Sequence, residues 1–134
     1  MRPARILILD DEPSLCEVIA IQLELAGYQT LMANDPLDAL EILDHHTVDV
    51  IISDLMLPNL TGLQFLDRVR QRKDQQPPVI LMSGSTDGFK NEAIARGAVA
   101  ILEKPFFGQS LMDAVKNTLE SLNPAAEIHV LQTA

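Results

Sequence analysis

The sequence predicts an α/β domain, a parallel sheet covered by helices on both faces. Three observations predict it. Short apolar runs alternate with helix-period segments from one end of the chain to the other, five of each. The 134 residues suit one domain of ordinary size. Two of the apolar runs end in acids: Ile6-Leu7-Ile8-Leu9 meets Asp10-Asp11-Glu12, and Val50-Ile51-Ile52-Ser53 meets Asp54. An open parallel sheet delivers the carboxyl ends of adjacent strands to one crevice, and ligands bind there.

Each element can be justified in turn. Residues 5–10 read as a buried strand. Pro13 suits the first turn of the helix that follows, with Leu15, Ile19, Leu23 and Ala26 recurring on one face and Gly27 fitting its end. Residues 28–33 form a second strand. Asn34 or Asp35 with Pro36 starts the second helix, with Leu37, Leu40 and Leu43 facing inward. Residues 48–53 make the third strand. Pro58-Asn59-Leu60-Thr61-Gly62 is a turn-rich loop, and the third helix carries Leu63, Leu66 and Val69 to about Arg72. Pro77-Pro78 keeps the chain extended into the fourth strand, residues 79–82. Asp87 is placed to cap the fourth helix and Gly97 to end it. The fifth strand covers residues 99–102. Phe107, Leu111, Val115 and Leu119 stripe the last helix. Right-handed crossovers follow from such alternation.

Composition narrows the function classes. An apolar fraction of 47% builds a real core and excludes a disordered chain. A formal charge of −9 disfavours direct nucleic-acid binding, which needs cations against phosphates. Cys16 is the only cysteine, so no internal disulfide is possible; it reads as a small apolar filler of the first helix. The opening apolar run is too short for a signal peptide, and nothing approaches the length of a membrane span. The expectation is a soluble, cytoplasmic protein with no membrane attachment.

Crowded carboxylates repel one another unless a hard divalent cation, which takes oxygen ligands, sits among them. Asp10 and Asp11, opposite Asp54 across the sheet, fit such a site better than they fit helix capping; Glu12 reads as a helix cap or a solvated acid. A carboxylate such as Asp54 can attack phosphorus and carry a phosphoryl group. Ser83 ends the fourth strand and can donate to a phosphoryl oxygen. Lys104 ends the fifth and can serve as counter-ion and phosphate ligand. Singly each signal is weak; their joint position at four strand ends is not. His45, His46 and His129 lie away from the acids and read as surface residues.

The chain resembles the receiver domain of two-component response regulators. The resemblance is carried by Ile6-Leu7-Ile8-Leu9-Asp10-Asp11-Glu12, Ile51-Ile52-Ser53-Asp54-Leu55-Met56-Leu57-Pro58, Thr61-Gly62, Val79-Ile80-Leu81-Met82-Ser83-Gly84, Gly97-Ala98 and Lys104-Pro105-Phe106, in the family's order and spacing. It implies a flavodoxin-like fold with strand order 2-1-3-4-5 over residues 1–123, leaving 124–134 as a short tail or the start of a linker. It implies that Asp54 accepts phosphoryl from a sensor histidine kinase or a histidine phosphotransfer protein. Asp11, Asp54 and the backbone carbonyl of Met56 would then ligate Mg2+ (or Mn2+), with Asp10 acting through water and Ser83 and Lys104 on the phosphoryl oxygens. It also implies a cis bond before Pro105, no turnover of an external substrate, and a monomer or weak dimer. The face of helix four, strand five and helix five, where Phe89, Phe106 and Phe107 lie, would present the signal to a downstream protein.

Two features depart from or refine the pattern. Where the family often has an aromatic residue that swings inward, three positions before the lysine, this chain has Ile101. Met56 and Ser85 occupy positions that tune loss of the phosphoryl group in the family; neither orients water well, so a persistent phosphorylated state is expected. The few residues after the last helix are too short for a DNA-binding fold. Glu127-Ile128-His129-Val130-Leu131 reads as a frayed end or linker rather than a docking segment. Three other functions fit the residues less well. An aspartyl-phosphate hydrolase of the usual kind would carry its two aspartates two residues apart after the first strand. A flavin or nucleotide binder needs a Gly- or Ser-rich first loop where this chain has acids. A pseudo-receiver, which binds partners without phosphorylation, would lack site residues that are all present.

Overall fold

The computed structural model describes residues 2–84, 89–104 and 108–122. Strands and helices alternate through them: β1 (Arg5–Leu9), α1 (Pro13–Leu25), β2 (Gln29–Ala33), α2 (Pro36–His45), β3 (Val50–Asp54), α3 (Gly62–Arg70), β4 (Val79–Ser83), α4 (Lys90–Ala95), β5 (Ala100–Glu103) and α5 (Gln109–Ser121). All strand pairs are parallel, in the order β2-β1-β3-β4-β5. Every residue of β3 and β4 is buried, as strands covered on both faces require.

The two-residue period of the strands sorts the core into two layers. Ile6 and Ile8 of β1, Val50 and Ile52 of β3, and Ile80 and Met82 of β4 face α1 and α5. Leu7, Leu9, Ile51, Val79 and Leu81 face the other way, against α2, α3 and α4. Cys16 is buried in the α1 layer, as its small apolar character suggested.

Helix ends follow local chemistry. The Asp35 carboxylate accepts the Leu37 amide at 2.7 Å and starts α2. Thr61 and Gln64 form a reciprocal capping box on α3. Gly27 takes a φ of +98° and turns the chain out of α1.

Three expectations need correction. Leu37 is 60% exposed, because the inward stripe of α2 is Pro36, Ala39 and the expected Leu43, the first two one position earlier than Leu37 and Leu40. Ala26 is exposed, since it caps α1 beyond the last buried turn. Phe65, absent from the expected α3 stripe, is fully buried and is the largest such side chain among the described residues. The proposed cap at Asp87, the bond before Pro105, the side chains of Ser85, Phe106 and Phe107, and the tail with His129 lie outside the described residues. Among the described residues, no helix is long and apolar enough to cross a membrane.

Candidate functional site

The site forms where β1, β3, β4 and β5 end together. Asp10 follows β1 directly, and its amide donates to the Ala33 carbonyl at 3.1 Å, carrying the β1–β2 ladder one residue further. The side chain is wholly buried, and Oδ1 accepts the Glu12 amide at 2.9 Å. Its carbonyl accepts from Asn34 Nδ2 at 2.9 Å and from the Cys16 thiol at 3.5 Å. Asp10 is therefore held from three sides. Asn34, a helix starter by sequence, thus also braces Asp10; its position just past β2, at the same sheet edge, is the signal for that role. Glu12 is the N-cap residue of α1 but makes no side-chain capping bond.

Asp54 is the last residue of β3 and is 7% exposed. Its Oδ1 accepts the Met56 amide at 3.3 Å. The Leu55 amide donates to the Met82 carbonyl at 2.8 Å and ties the strand end to β4. Beyond it the chain turns sharply: Asn59 adopts a φ of 71°, and the Gly62 amide returns to the Leu55 carbonyl at 2.7 Å. Gly62 is required there. A Cβ on it would stand 2.5 Å from the Asp54 carbonyl oxygen and 2.7 Å from Leu55 Cα. The Met56 side chain is 70% exposed beside the site.

Carboxylate oxygens of Asp10, Asp11 and Asp54 lie within 4.8 Å of one another, Asp11 at the exposed mouth. A set of hard oxygen donors at this spacing fits a divalent cation of the magnesium type. The Lys104 ammonium enters from the end of β5, 3.3 Å from Asp54 Oδ2 and 3.4 Å from Asp10 Oδ2. Its own amide donates to the Ser83 carbonyl at 2.7 Å, so β4 fixes the lysine's backbone. Ser83, the last residue of β4, is buried.

Electrostatics follow from this crowding. Burial pushes the Asp10 carboxyl above its ordinary range; the Glu12 amide opposes this, Asp54 adds like-charge repulsion, and Lys104 does not outweigh the sum. Burial pulls the Lys104 ammonium down, but Asp54 and Asp10 prevail and hold it above its ordinary value. Two buried acids share one cation, which leaves the pocket short of positive charge.

The structure thus brings together Asp10, Asp11, Asp54, Ser83 and Lys104, all five expected from sequence, with the Met56 backbone beside them. His45 and His46 sit exposed at the far end of α2 and do not enter. Ile101 is half-buried on β5, paired with Leu81 and packed on the α2–α3–α4 layer.

A parallel sheet in this order, with three acids and a lysine at its carboxyl edge, is the architecture of a signalling receiver. The chain belongs to the response regulator receiver domain family, which matches residues 6–116. Among curated relatives, the Response regulator Rre1 of Synechocystis is 33% identical over 87% of this chain and 52% of its own length. The Sensor histidine kinase RcsC of Salmonella typhi is 34% identical over 85% of this chain and 12% of its own. The Transcriptional regulatory protein GlrR of Escherichia coli is 28% identical over 94% of this chain and 28% of its own. The chain therefore spans from about an eighth to about half of these relatives. Among solved structures, the chemotaxis response regulator CheY4 of Vibrio cholerae superposes with a TM-score of 0.81 at 31% identity, covering 87% of this chain and 99% of that one. NtrX from Brucella abortus gives 0.84 at 29% identity over 96% of this chain and 30% of that one.

Proposed function

We propose that the protein is a phosphoryl-accepting switch in which Asp54 takes the group from a phosphohistidine on a sensor histidine kinase or histidine phosphotransfer protein. One observation carries this reading: a nearly buried carboxylate at a strand end, flanked by two further acids and reached by a lysine at 3.3 Å. One Asp54 carboxylate oxygen attacks phosphorus, the P–N bond breaks, and the histidine nitrogen keeps the electron pair and takes up a proton. Asp54 then carries an acyl phosphate.

Asp11 and Asp54 would hold Mg2+ (or Mn2+) with the Met56 backbone carbonyl, and Asp10 would reach it through water. The cation, when bound, offsets phosphoryl charge next to the acids. Lys104 follows the charge. It now pairs with Asp54 and Asp10, and it turns to a phosphoryl oxygen once that group arrives. The Ser83 hydroxyl donates to a second oxygen. An added charge of about −2 with strong acceptors then biases the face of α4, β5 and α5, where a downstream protein reads it. In this reading residues 1–123 form the receiver and 124–134 a tail or linker. The protein acts in the cytoplasm as a monomer or weak dimer, without direct nucleic-acid contact and without turning over an external substrate. The acidic charge of −9 supports the absence of nucleic-acid contact.

Intact-mass measurement after treatment with a small acyl-phosphate donor and magnesium tests the proposal. One phosphoryl adduct on wild type and none on Asp54→Ala is the expected result. Steady release of phosphate from phosphate esters would instead identify a hydrolase. No adduct under any donor would leave a binding module.

A further inference from the structure

α4 is six residues long and buries only Ala93. So short a helix has little stability of its own and takes its position from what it touches. Its C-terminal end is tied to β4 through the Val99 amide on the Val79 carbonyl at 2.9 Å, and by side chains to α3. Arg70 of α3 donates from Nη2 to the Gly97 carbonyl at 2.7 Å. Gly97, at a φ of +109°, lies flat against that guanidinium, and a Cβ there would stand 2.8 Å from Arg70 Nε. In return Arg96 reaches Asp67 of α3 at 3.3 Å, while its other nitrogen holds Glu92 of α4 at 2.9 Å. Asp67 and Arg70, three residues apart, share one face of α3. The two helices are clasped by reciprocal arginines.

The other end of α3 is fixed to the site. Gly62, its first residue, donates to the Leu55 carbonyl and is packed on the Asp54 backbone with no room for a methyl group. The capping box at Thr61 and Gln64 stiffens the first turn, and Leu63, Phe65, Leu66 and Val69 seat the helix in the core. A rigid element nine residues long thus joins the strand end that bears Asp54 to the end of α4. The other route runs across β4 to β5, where Ile101 is β-branched and stiff at χ1.

We infer that α3 is the lever of the switch: the clasp of Arg70 and Arg96 with Gly97 and Asp67 couples the state of Asp54 to the position of α4. This rests on the phosphoryl-acceptor reading. The partly buried, charge-assisted Arg70 bond carries more of the coupling than the half-exposed Arg96–Asp67 pair.

Amide hydrogen exchange on the full chain, with and without phosphorylation by an acyl-phosphate donor and magnesium, tests it in wild type, Arg70→Met, Arg96→Gln and Asp67→Asn. Phosphorylation is expected to change exchange at residues 93–98 in wild type by roughly two- to thirtyfold, the range of coupling energies between linked sites. The change should largely vanish in Arg70→Met and shrink in the other two, while intact mass shows the same single adduct on all four. Asp67→Asn should add nothing further to Arg96→Gln in the double variant, because the Arg96–Asp67 bond that it breaks is already gone. If Arg70→Met does not fold, the two half-exposed substitutions decide. Full labelling with an undiminished response in the variants, or with no response at residues 93–98 in wild type, overturns the lever alone. Failure to label wild type overturns the acceptor reading and the lever with it.

Discussion

The Lys104 ammonium stands 3.3 Å from Asp54 Oδ2 across fifty residues of chain, and the same nitrogen is 3.4 Å from Asp10 Oδ2. One positive charge therefore serves two acids, both nearly or fully buried, with Asp11 close by. Nothing in folding alone calls for this arrangement. It fits the proposed use of the site, a cation and an incoming phosphoryl group, and it is held at some cost in stability.

That cost is measurable at Asp10. Burial raises its folded pKa, so the stability it permits is whole below its ordinary value of 3.8 and is lost as pH rises through the folded value. Asp10→Asn removes the charge, and its Oδ1 still accepts the Glu12 amide. The variant should be more stable than wild type by on the order of 1 kcal/mol in chelator at pH 7. Below pH 4 the difference should fade. Urea denaturation at the two pH values checks both statements.

Asp11 supplies a cleaner probe of the cation. Its side chain is exposed, so Asp11→Asn should change stability in chelator by less than about 0.5 kcal/mol. Saturating magnesium should raise the wild-type melting point, since a ligand at a hundred times its Kd adds about 2.7 kcal/mol. Most of that gain should be missing in the variant. Equal gains in both proteins would remove Asp11 from the cation site.

The sequence made the sheet and most of the site legible because both depend on position along strands. Ile6 to Leu9 and Val79 to Met82 are continuous apolar runs, and the residue after such a run falls at the carboxyl edge wherever the strand lies in the sheet. Asp10, Asp54, Ser83 and Lys104 were readable for that reason. What could not be read depends on contacts across the fold. The rotation of α2 that exposes Leu37 is set by Pro36 at its first position, and spacing alone does not fix that phase. Asn34 holds Asp10 from a neighbouring strand end twenty-four residues away. The need for glycine at position 62 appears only when the Asp54 carbonyl is seen beneath it.

Gly62 yields a direct comparison. In Gly62→Ala the new methyl group meets backbone atoms of Asp54 and Leu55 that cannot turn aside. The expected destabilisation is about 1–3 kcal/mol. At Gly84 a Cβ meets nothing within 4 Å, and Gly84→Ala should stay within about 0.5 kcal/mol of wild type. Parallel denaturation curves for the two variants give the answer.

Cys16 should be inert while the protein is folded. Burial is the main cause that pushes its thiol up to about 11, with Asp10 next. Thiolate is then scarce at pH 8, and iodoacetamide should label the folded protein far more slowly than the urea-unfolded chain. The same shift carries a sign for stability. The thiol's contribution is present below its ordinary value of 9.0 and is lost as pH rises towards 11. Cys16→Ala should therefore lose less stability than wild type between pH 8.5 and 10.5, whatever it loses at neutrality from the cavity.

On the proposed phosphoryl-acceptor reading, Met56 bears on how long the group stays on Asp54. Its amide already donates to Asp54 Oδ1, and its side chain is exposed. Loss of the phosphoryl group requires a water in line with the bond to Asp54. A thioether is too weak an acceptor to hold that water and donates nothing. Asparagine at the same position offers both a donor and an acceptor and leaves the backbone bond in place. One added hydrogen bond to the attacking water is worth about 0.5–1.5 kcal/mol, so Met56→Asn should shorten the life of the adduct by roughly two- to tenfold. The decay of the phosphorylated mass with time, in excess magnesium and after removal of the donor, measures it. An unchanged lifetime would mean that water is oriented by some other group, and that the exposed methionine does not set the persistence of the phosphorylated state.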